Sequence, residues 1–385
     1  MRHFVFIVSC LLAGLSQAQP IVPSPPDVAA EAHILIDART GFVIAENNAD
    51  VQLPPASLTK LMTSFVLANE ISEGRLSRDD IVVISQNAWS QNPLFAGSSL
   101  MWIEPGMEVS IADLERGIVI SSGNDATVAV AEHIAGSESA FAALMNRHGE
   151  TIGLTQTYFV NSHGLPHPDH LTTARDLAIL SAALIERFPD HYTRYAERDY
   201  TFNNIKQYNR NSLLNEDPSV DGLKTGYTRE AGYGLVASAK RGDMRLVSVV
   251  MGTRSTTVRK NETRGLLNYG FRFYETVPLL AGNAELDRPR VWKGSQDYVS
   301  VGVDEALVLT LPRGKRTQLQ QQVVLEQDIV APLSAGDVVG SLTLLLDGEV
   351  QAQRPIVALE PVDAGGFFSR LWDVVLMWIA RVFRG

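Results

Sequence analysis

The chain reads as an α/β protein. The expected architecture is an antiparallel sheet with helices and an inserted helical subdomain, followed by a small all-β sandwich and a C-terminal amphipathic helix. Three observations predict it. Alternating apolar runs with the character of strands stand at both ends of residues 32–279, and the pattern between them is mostly helical. Near Pro278 the patterning changes to short β-rich runs separated by turn residues. The last residues form a strongly apolar segment with one polar stripe at helical spacing.

Taken in order, residues 1–18 read as a secretory leader. Arg2 supplies a positive start, residues 4–15 an apolar stretch too short to span a bilayer, and Ser16-Gln-Ala18 a small-residue cleavage site. Cys10 is the one cysteine and falls inside this leader, so an exported fold without disulfides must rest on its core. Residues 19–31 are proline-rich and form an extended lead-in. Residues 32–37 and 41–46 alternate and are joined by Ala38-Arg-Thr40, a hairpin pattern. A helix opens at Ser57, with Leu58, Leu61, Met62, Phe65 and Val66 at helical spacing. Ser110 with Asp113, and Thr173 with Asp176, mark capped helix starts, and the helix over 174–188 stops at Pro189. Strands resume over 220–225, 232–239 and 246–252, and a helix over 257–274 closes the first domain, 32–279.

Residues 280–362 carry β-rich runs at 299–303, 306–311, 318–325, 338–346 and 356–359, with turns such as Pro312-Arg-Gly314 and Asp347-Gly348 between them. The final segment, 363–385, is separate. From Phe367 to Gly385, Arg370, Asp373, Arg381 and Arg384 share one helical stripe with Met377, and the remaining surface is apolar with Trp372 and Trp378. That pattern is expected of a helix lying in a membrane surface rather than crossing it. With 33 Lys and Arg against 43 Asp and Glu, the net charge of −10 argues against nucleic acid as a partner.

Three short motifs carry chemistry: Ser57-Leu-Thr-Lys60, Ser122-Gly-Asn124 and Lys224-Thr-Gly226. The last is the rarest, since the chain has seven lysines. Ser85-Gln-Asn87 also has the form of the second motif, but it follows Lys60 closely in a Ser/Asn/Gln-rich stretch and reads as a decoy. A serine hydroxyl is a weak nucleophile until a base takes its proton. Lys60 is offset by three residues and lies above Ser57 on one helix face. An ammonium cannot accept a proton, so Lys60 must become neutral, and burial together with a second cation at Lys224 would both lower its pKa. Alone, Ser57 would read as an ordinary helix cap. As a nucleophile in the first turn it sits where backbone N–H groups favour developing negative charge, so its own N–H serves as half of an oxyanion hole. Ser122 is placed to pass a proton between Lys60 and a leaving amine, and Asn124 to hold Lys60 and donate to a substrate carbonyl. On a strand, Gly226 leaves room for a peptide to dock along the edge, while Lys224 and Thr225 suit a substrate carboxylate.

With these motifs and their flanks, the chain resembles the low-molecular-mass penicillin-binding proteins, D-alanyl-D-alanine carboxypeptidases of the serine peptidase S11 type with a β-rich C-terminal domain and an amphipathic tail. The resemblance extends over nearly the whole chain after the leader. It rests on Pro55-Ala-Ser57-Leu-Thr-Lys60, Gly97-Ser-Ser-Leu-Met101, Ser122-Gly-Asn124-Asp-Ala, His163-Gly-Leu165, Val220-Asp-Gly-Leu-Lys224-Thr-Gly226 and Gly270-Phe-Arg-Phe. It implies a β-lactamase-like first domain, peptidoglycan stem peptides as substrate, release of terminal D-Ala through a Ser57 acyl-enzyme, and β-lactams as covalent inhibitors. It also implies export to the periplasmic face of the inner membrane. Arg254 resembles the family's carboxylate-binding arginine, and the Tyr227 N–H its second oxyanion donor. The tyrosine side chain after K-T-G is a departure, because relatives often carry histidine there.

The same fold hosts β-lactamases, but the Glu-x-x-Leu-Asn segment that activates their hydrolytic water is absent from the sequence. A cross-link endopeptidase and a non-catalytic wall scaffold are the other readings. His163, His167, Asp169 and His170 look metal-like, yet Pro166 and Pro168 preclude a regular helical ligand pair, so no metal and no cofactor is expected.

Overall fold

The computed structural model describes residues 22–384; the leader expected over residues 1–18 lies outside the described residues. The chain begins with the antiparallel hairpin β1 (Ala32–Asp37) and β2 (Val43–Asn47). A helical block follows: α1 (Lys60–Ser72), the small hairpin β3 (Ile81–Val83) and β4 (Glu108–Ser110), α2 (Ile111–Arg116), α3 (Asn124–Ala135), α4 (Glu138–Ile152) and α5 (Ala174–Arg187). Beyond these come the single turn α6 (Pro189–Tyr192), the hairpin β5 (Asp199–Phe202) and β6 (Ile205–Tyr208), and the single turn α7 (Leu213–Glu216). The chain then returns to the sheet as β7 (Val220–Thr228), β8 (Gly232–Arg241) and β9 (Met244–Thr253), and α8 (Thr256–Phe273) closes the unit. The β3–β4 pair interrupts a stretch expected to be mostly helical, and β5–β6 falls where the sequence assigned no element. Their strands are three or four residues long, too short for alternation to register in the sequence.

The main sheet has the order β2-β1-β9-β8-β7 and is antiparallel throughout. All six residues of β1 are buried because both faces of the sheet are covered. Ile34 and Ile36 pack with Val247, Val249 and the Leu177–Leu184 face of α5. Leu35 points the other way, into Leu246, Val250 and Leu266 and Leu267 of α8. Period-two alternation therefore feeds two cores from one strand. Because β1 pairs with β9, β7 is left as an edge, and this edge carries the third motif.

The helix starts form as read from the sequence. The Ser110 Oγ accepts from the Asp113 N–H at 3.1 Å, and the Thr173 Oγ1 from the Asp176 N–H at 3.0 Å. After α8 the chain enters β10 (Tyr274–Leu280), which pairs with β13 (Leu307–Pro312). The other strands, β11 (Ala284–Asp287), β12 (Val301–Val303), β14 (Gln320–Leu325), β15 (Val338–Leu346) and β16 (Glu349–Ala358), form a sheet of order β11-β12-β16-β15-β14 around its own core of Val299, Val301, Leu342, Leu344 and Ile356. Asp347 and Gly348 both take positive φ (52° and 85°), as the tight turn between β15 and β16 requires.

The helix α9 (Phe367–Arg384) ends the described chain. Asp373 and Met377 of its stripe face inward: Asp373 accepts from the Lys293 N–H at 2.5 Å and from Arg290 Nη2 at 3.2 Å, and Met377 is buried, whereas Arg370 is exposed. Phe367, Phe368, Trp372 and Trp378 are exposed. Among the described residues no helix is long and apolar enough to cross a membrane.

The two sheets meet at a buried carboxylate. Asp37, at the end of β1, is fully buried and accepts from the Thr276 hydroxyl of β10 and from Thr310 Oγ1 of β13 at 2.7 Å. Removing it strands the buried Thr276 hydroxyl and leaves Thr310 with Thr40 as its partner. Asp37→Ala is expected to cost about 1–3 kcal/mol of stability and Asp37→Asn less, as measured by urea unfolding followed by tryptophan fluorescence.

Candidate active site

Ser57 lies in a single 3-10 turn, Ala56–Thr59, that runs straight into α1. Two glycines let this turn sit where it does. At Gly226 of β7 an added Cβ would stand 3.0 Å from the Pro55 carbonyl oxygen and 3.1 Å from Leu58 Cγ. At Gly164, with φ +89°, it would stand 1.8 Å from the Ala56 carbonyl oxygen. The sequence reading gave Gly226 the task of clearing space for a docking peptide. In the fold its missing side chain makes room for the nucleophile's own backbone.

Lys60 is fully buried at the first position of α1. Its Nζ lies 2.6 Å from Asn124 Oδ1, 2.7 Å from the His163 carbonyl oxygen and 3.2 Å from Ser57 Oγ. The first two partners only accept hydrogen bonds. A neutral amine has two N–H bonds to give and one lone pair, so satisfying both carbonyls turns the lone pair toward the Ser57 hydroxyl. Burial is the largest influence on this amine and lowers its pKa. The Asp125 carboxylate raises it, Arg210 lowers it and Glu138 raises it, leaving it at about 7. Lys224, the expected second cation, and Lys60 repel each other, and Arg210 adds a further positive charge that lowers Lys60. Lys224 is itself driven well below the usual lysine range, by burial first and then by Lys60.

Ser122 follows the irregular turn Gly117–Ser121 and takes a left-handed conformation, φ +61°. Its Oγ accepts from Lys224 Nζ at 2.9 Å, so in this state it is joined to the third motif and not to Lys60. Asn124 begins α3, and its Nδ2 donates to Ser98 Oγ at 2.8 Å. The neighbouring Asp125 is fully buried and gathers the N–H groups of Met101, Trp102 and Ile103 at 2.8, 2.9 and 3.3 Å. The Gly97–Met101 stretch is thus tied to the second motif. Ser85 and Asn87 bond Glu132 and do not line the cleft.

These elements enclose a cleft of about 250 Å³ lined by Ser57, Ser98, Ser122, Asn124, His163, Thr225, Gly226, Tyr227, Arg210 and Arg259, among others. The Tyr227 ring is half exposed and stacks on Tyr233 with centroids 4.2 Å apart. Arg254, singled out in the sequence, is exposed on the connection after β9 and does not line the cleft. Arg259, in the second turn of α8, does. It is buried beneath the sheet edge, with Nη1 3.4 Å from the carbonyls of Gly226 and Gly234, and burial pushes its pKa down to about 10. Sequence reasoning missed it, although an arginine on the buried Thr263, Leu266 and Gly270 face of that helix was a usable signal. Arg210 lies in a loop and had no such signal.

The histidines have structural work. His170 Nδ1 accepts from the Val160 N–H at 3.0 Å, and its Nε2 bonds Thr59 Oγ1 at 2.8 Å. His163 Nδ1 accepts from the Leu165 N–H at 3.0 Å, and its Nε2 faces Glu138 Oε1 at 3.2 Å. Burial pushes the His163 and His170 pKa values down to about 3 and about 4, so both rings are neutral. Among the described residues no cluster of three or more His, Cys, Asp or Glu could hold a metal.

A family model described as D-alanyl-D-alanine carboxypeptidase (peptidase S11) matches residues 19–255, and one described as penicillin-binding protein 5, C-terminal domain, matches residues 274–364. Among curated proteins, the chain is 46% identical to D-alanyl-D-alanine carboxypeptidase DacC of Escherichia coli (strain K12) over 355 residues, covering 91% of this chain and 89% of that one. It is also 46% identical to DacA of the same organism, over 92% of this chain and 89% of that one. Among solved structures, penicillin binding protein 5 from Haemophilus influenzae aligns with a TM-score of 0.85 at 40% identity, covering 89% of this chain and 99% of that one. Penicillin binding protein 6B from Escherichia coli aligns with a TM-score of 0.76 at 38% identity, covering 88% and 98%.

The contact of Gly226 with the Ser57 turn makes a sharp expectation. Gly226→Ala pushes that turn aside by a few tenths of an ångström, and acylation of Ser57 by a fluorescent penicillin slows on the order of tenfold or more, while the melting temperature moves little.

Proposed function

The chain belongs to the D-alanyl-D-alanine carboxypeptidase family, and we propose that Ser57, Lys60 and Ser122 carry the family's reaction in it. It is a serine-type carboxypeptidase that removes the terminal D-Ala from peptidoglycan stem peptides. The observation that carries the assignment is the Lys60 amine, held by two carbonyl acceptors with its third direction on Ser57 Oγ.

The stem peptide lies along the β7 edge as an added strand. Its terminal carboxylate is taken by Thr225, Lys224 and the guanidinium groups of Arg259 and Arg210, in place of Arg254. Ser57 Oγ attacks the penultimate D-Ala carbonyl as its proton passes to neutral Lys60. The tetrahedral oxyanion is met by the backbone N–H groups of Ser57 and Tyr227. The C–N bond breaks as a proton reaches the leaving amine through Ser122, whose hydroxyl is oriented by Lys224. Water then attacks the ester, Lys60 takes its proton, and Ser57 is regenerated. A β-lactam acylates the same hydroxyl. With no Glu-x-x-Leu-Asn segment to activate water, the drug leaves slowly and acts as an inhibitor.

The inward turn of Asp373 supports a peripheral membrane location. Asp373 of α9 is held by the β-domain, which leaves the Phe367, Trp372 and Trp378 surface to enter the lipid headgroup region. On this reading the protein works at the periplasmic face of the inner membrane, after removal of residues 1–18.

Ser57→Ala and Lys60→Ala are each expected to abolish D-Ala release from a D-Ala-D-Ala stem peptide while leaving the melting temperature within a few degrees. Labelled penicillin found by mass spectrometry on any residue other than Ser57 would refute the assignment. Truncation after residue 366 is expected to move the enzyme from the membrane to the soluble fraction with activity retained; a truncated protein that still sediments with membranes rules out the anchor.

A further inference from the structure

We propose that Glu138 is a positioning residue for acylation: its carboxylate fixes the 161–165 loop that supplies one acceptor to Lys60, and its negative charge opposes the cations around that amine. The inference rests on the reading of Lys60 as the base and deepens it. Glu138 lies outside the three motifs, at the first position of α4, where Ser137 caps the helix.

Its Oε1 accepts from the Ser162 N–H at 3.1 Å and from Ser162 Oγ at 2.8 Å, and it lies 3.2 Å from His163 Nε2. His163 Nδ1 is occupied as an acceptor by the Leu165 N–H, so the ring proton sits on Nε2, on the side of Glu138. On the opposite side, Thr63 Oγ1 of α1 donates to the Ser162 carbonyl at 2.6 Å. Residues 162 and 163 are thereby gripped from α1 and α4 together, and the His163 carbonyl is held 2.7 Å from Lys60 Nζ. Loosening that grip frees the amine to turn away from Ser57.

The charge acts in the same place. Around Lys60 stand Ser57 on its own turn, Asn124 and Asp125 on α3, His163 and His170 from the loops, Arg210 beyond β6, Lys224 on β7 and Glu138 on α4. Asp125 and Glu138 favour the ammonium, whereas burial and Arg210 favour the amine. Asp125 is deeply buried and ties down the Met101 loop, so its removal disturbs much else. Glu138 is 27% exposed and can be neutralised with the smallest change of shape.

The test measures acylation of the full-length enzyme by a fluorescent penicillin on both sides of neutral pH, for wild type, Glu138→Gln and Glu138→Ala, with melting temperature as the fold check. The wild-type rate should rise with pH through a midpoint near 7, as Lys60 loses its proton. Glu138→Gln keeps the acceptor and loses the charge, so the midpoint should move to lower pH by roughly half a unit. Glu138→Ala loses the grip as well, and the rate should fall on the order of tenfold across the range. An unmoved midpoint in Glu138→Gln, or an undiminished rate in Glu138→Ala, overturns the inference while leaving Lys60 as the base. A wild-type rate with no such rise instead removes Lys60 from that role, and this inference with it.

Discussion

The site depends on a lysine amine that has been taken out of water and given carbonyl oxygens rather than carboxylates as its nearest partners. The distinction matters energetically. A carboxylate at hydrogen-bond distance would hold the proton on Lys60 permanently, because a buried ion pair is broken only at large cost. Asn124 Oδ1 and the His163 carbonyl satisfy two N–H bonds without bringing a full charge, so the amine is neither stranded nor locked as an ammonium. The carboxylates stand further out. Asp125 is occupied by the backbone of the Met101 loop and Glu138 by Ser162, so neither carboxylate bonds the amine directly.

The rest of the fold brings these groups together from distant parts of the chain. The central pairing of β1 with β9 closes the sheet around the helical block and leaves β7 free at the side where the Ser57 turn packs. Gly226 and Gly164 flank that turn and allow backbone to meet backbone. The helical block supplies Asn124 and Ser122 from the start of α3, and the loop after α4 supplies His163. The second domain is attached through the Asp37 carboxylate at the far end of β1, away from the chemistry, and in turn holds α9 by Asp373.

Much of this was legible in the residues. The three motifs converge as their chemistry demands, and the sheet strands and capped helices fall close to their expected limits, because strong periodicity and capping side chains are local signals. What was not legible depended on non-local packing. The β3–β4 and β5–β6 hairpins are too short to show alternation. Arg254 was singled out by its likeness to the family's carboxylate-binding arginine and Arg259 was passed over, whereas the relevant fact is which face of α8 lies under the sheet. A further cation acting on Lys60, Arg210, is brought in by a loop whose path no local pattern records. Gly226 was read for its effect on a ligand, when its neighbour in space is Pro55, far away in sequence.

An unpaired strand beside an open cleft is also a hazard, since it invites the edge of any other sheet to join it. Here the hazard is limited by Arg259. Among the described residues this buried guanidinium meets two long carbonyl contacts and the face of the Tyr233 ring but no carboxylate, and burial already weakens its hold on its proton. An intruding segment from the middle of a foreign protein would cover this cation and bring nothing to neutralise it. A chain terminus arrives with its own anion. On the reading proposed for the site, the same uncompensated charge that takes a free end would also disfavour casual β-pairing along this edge.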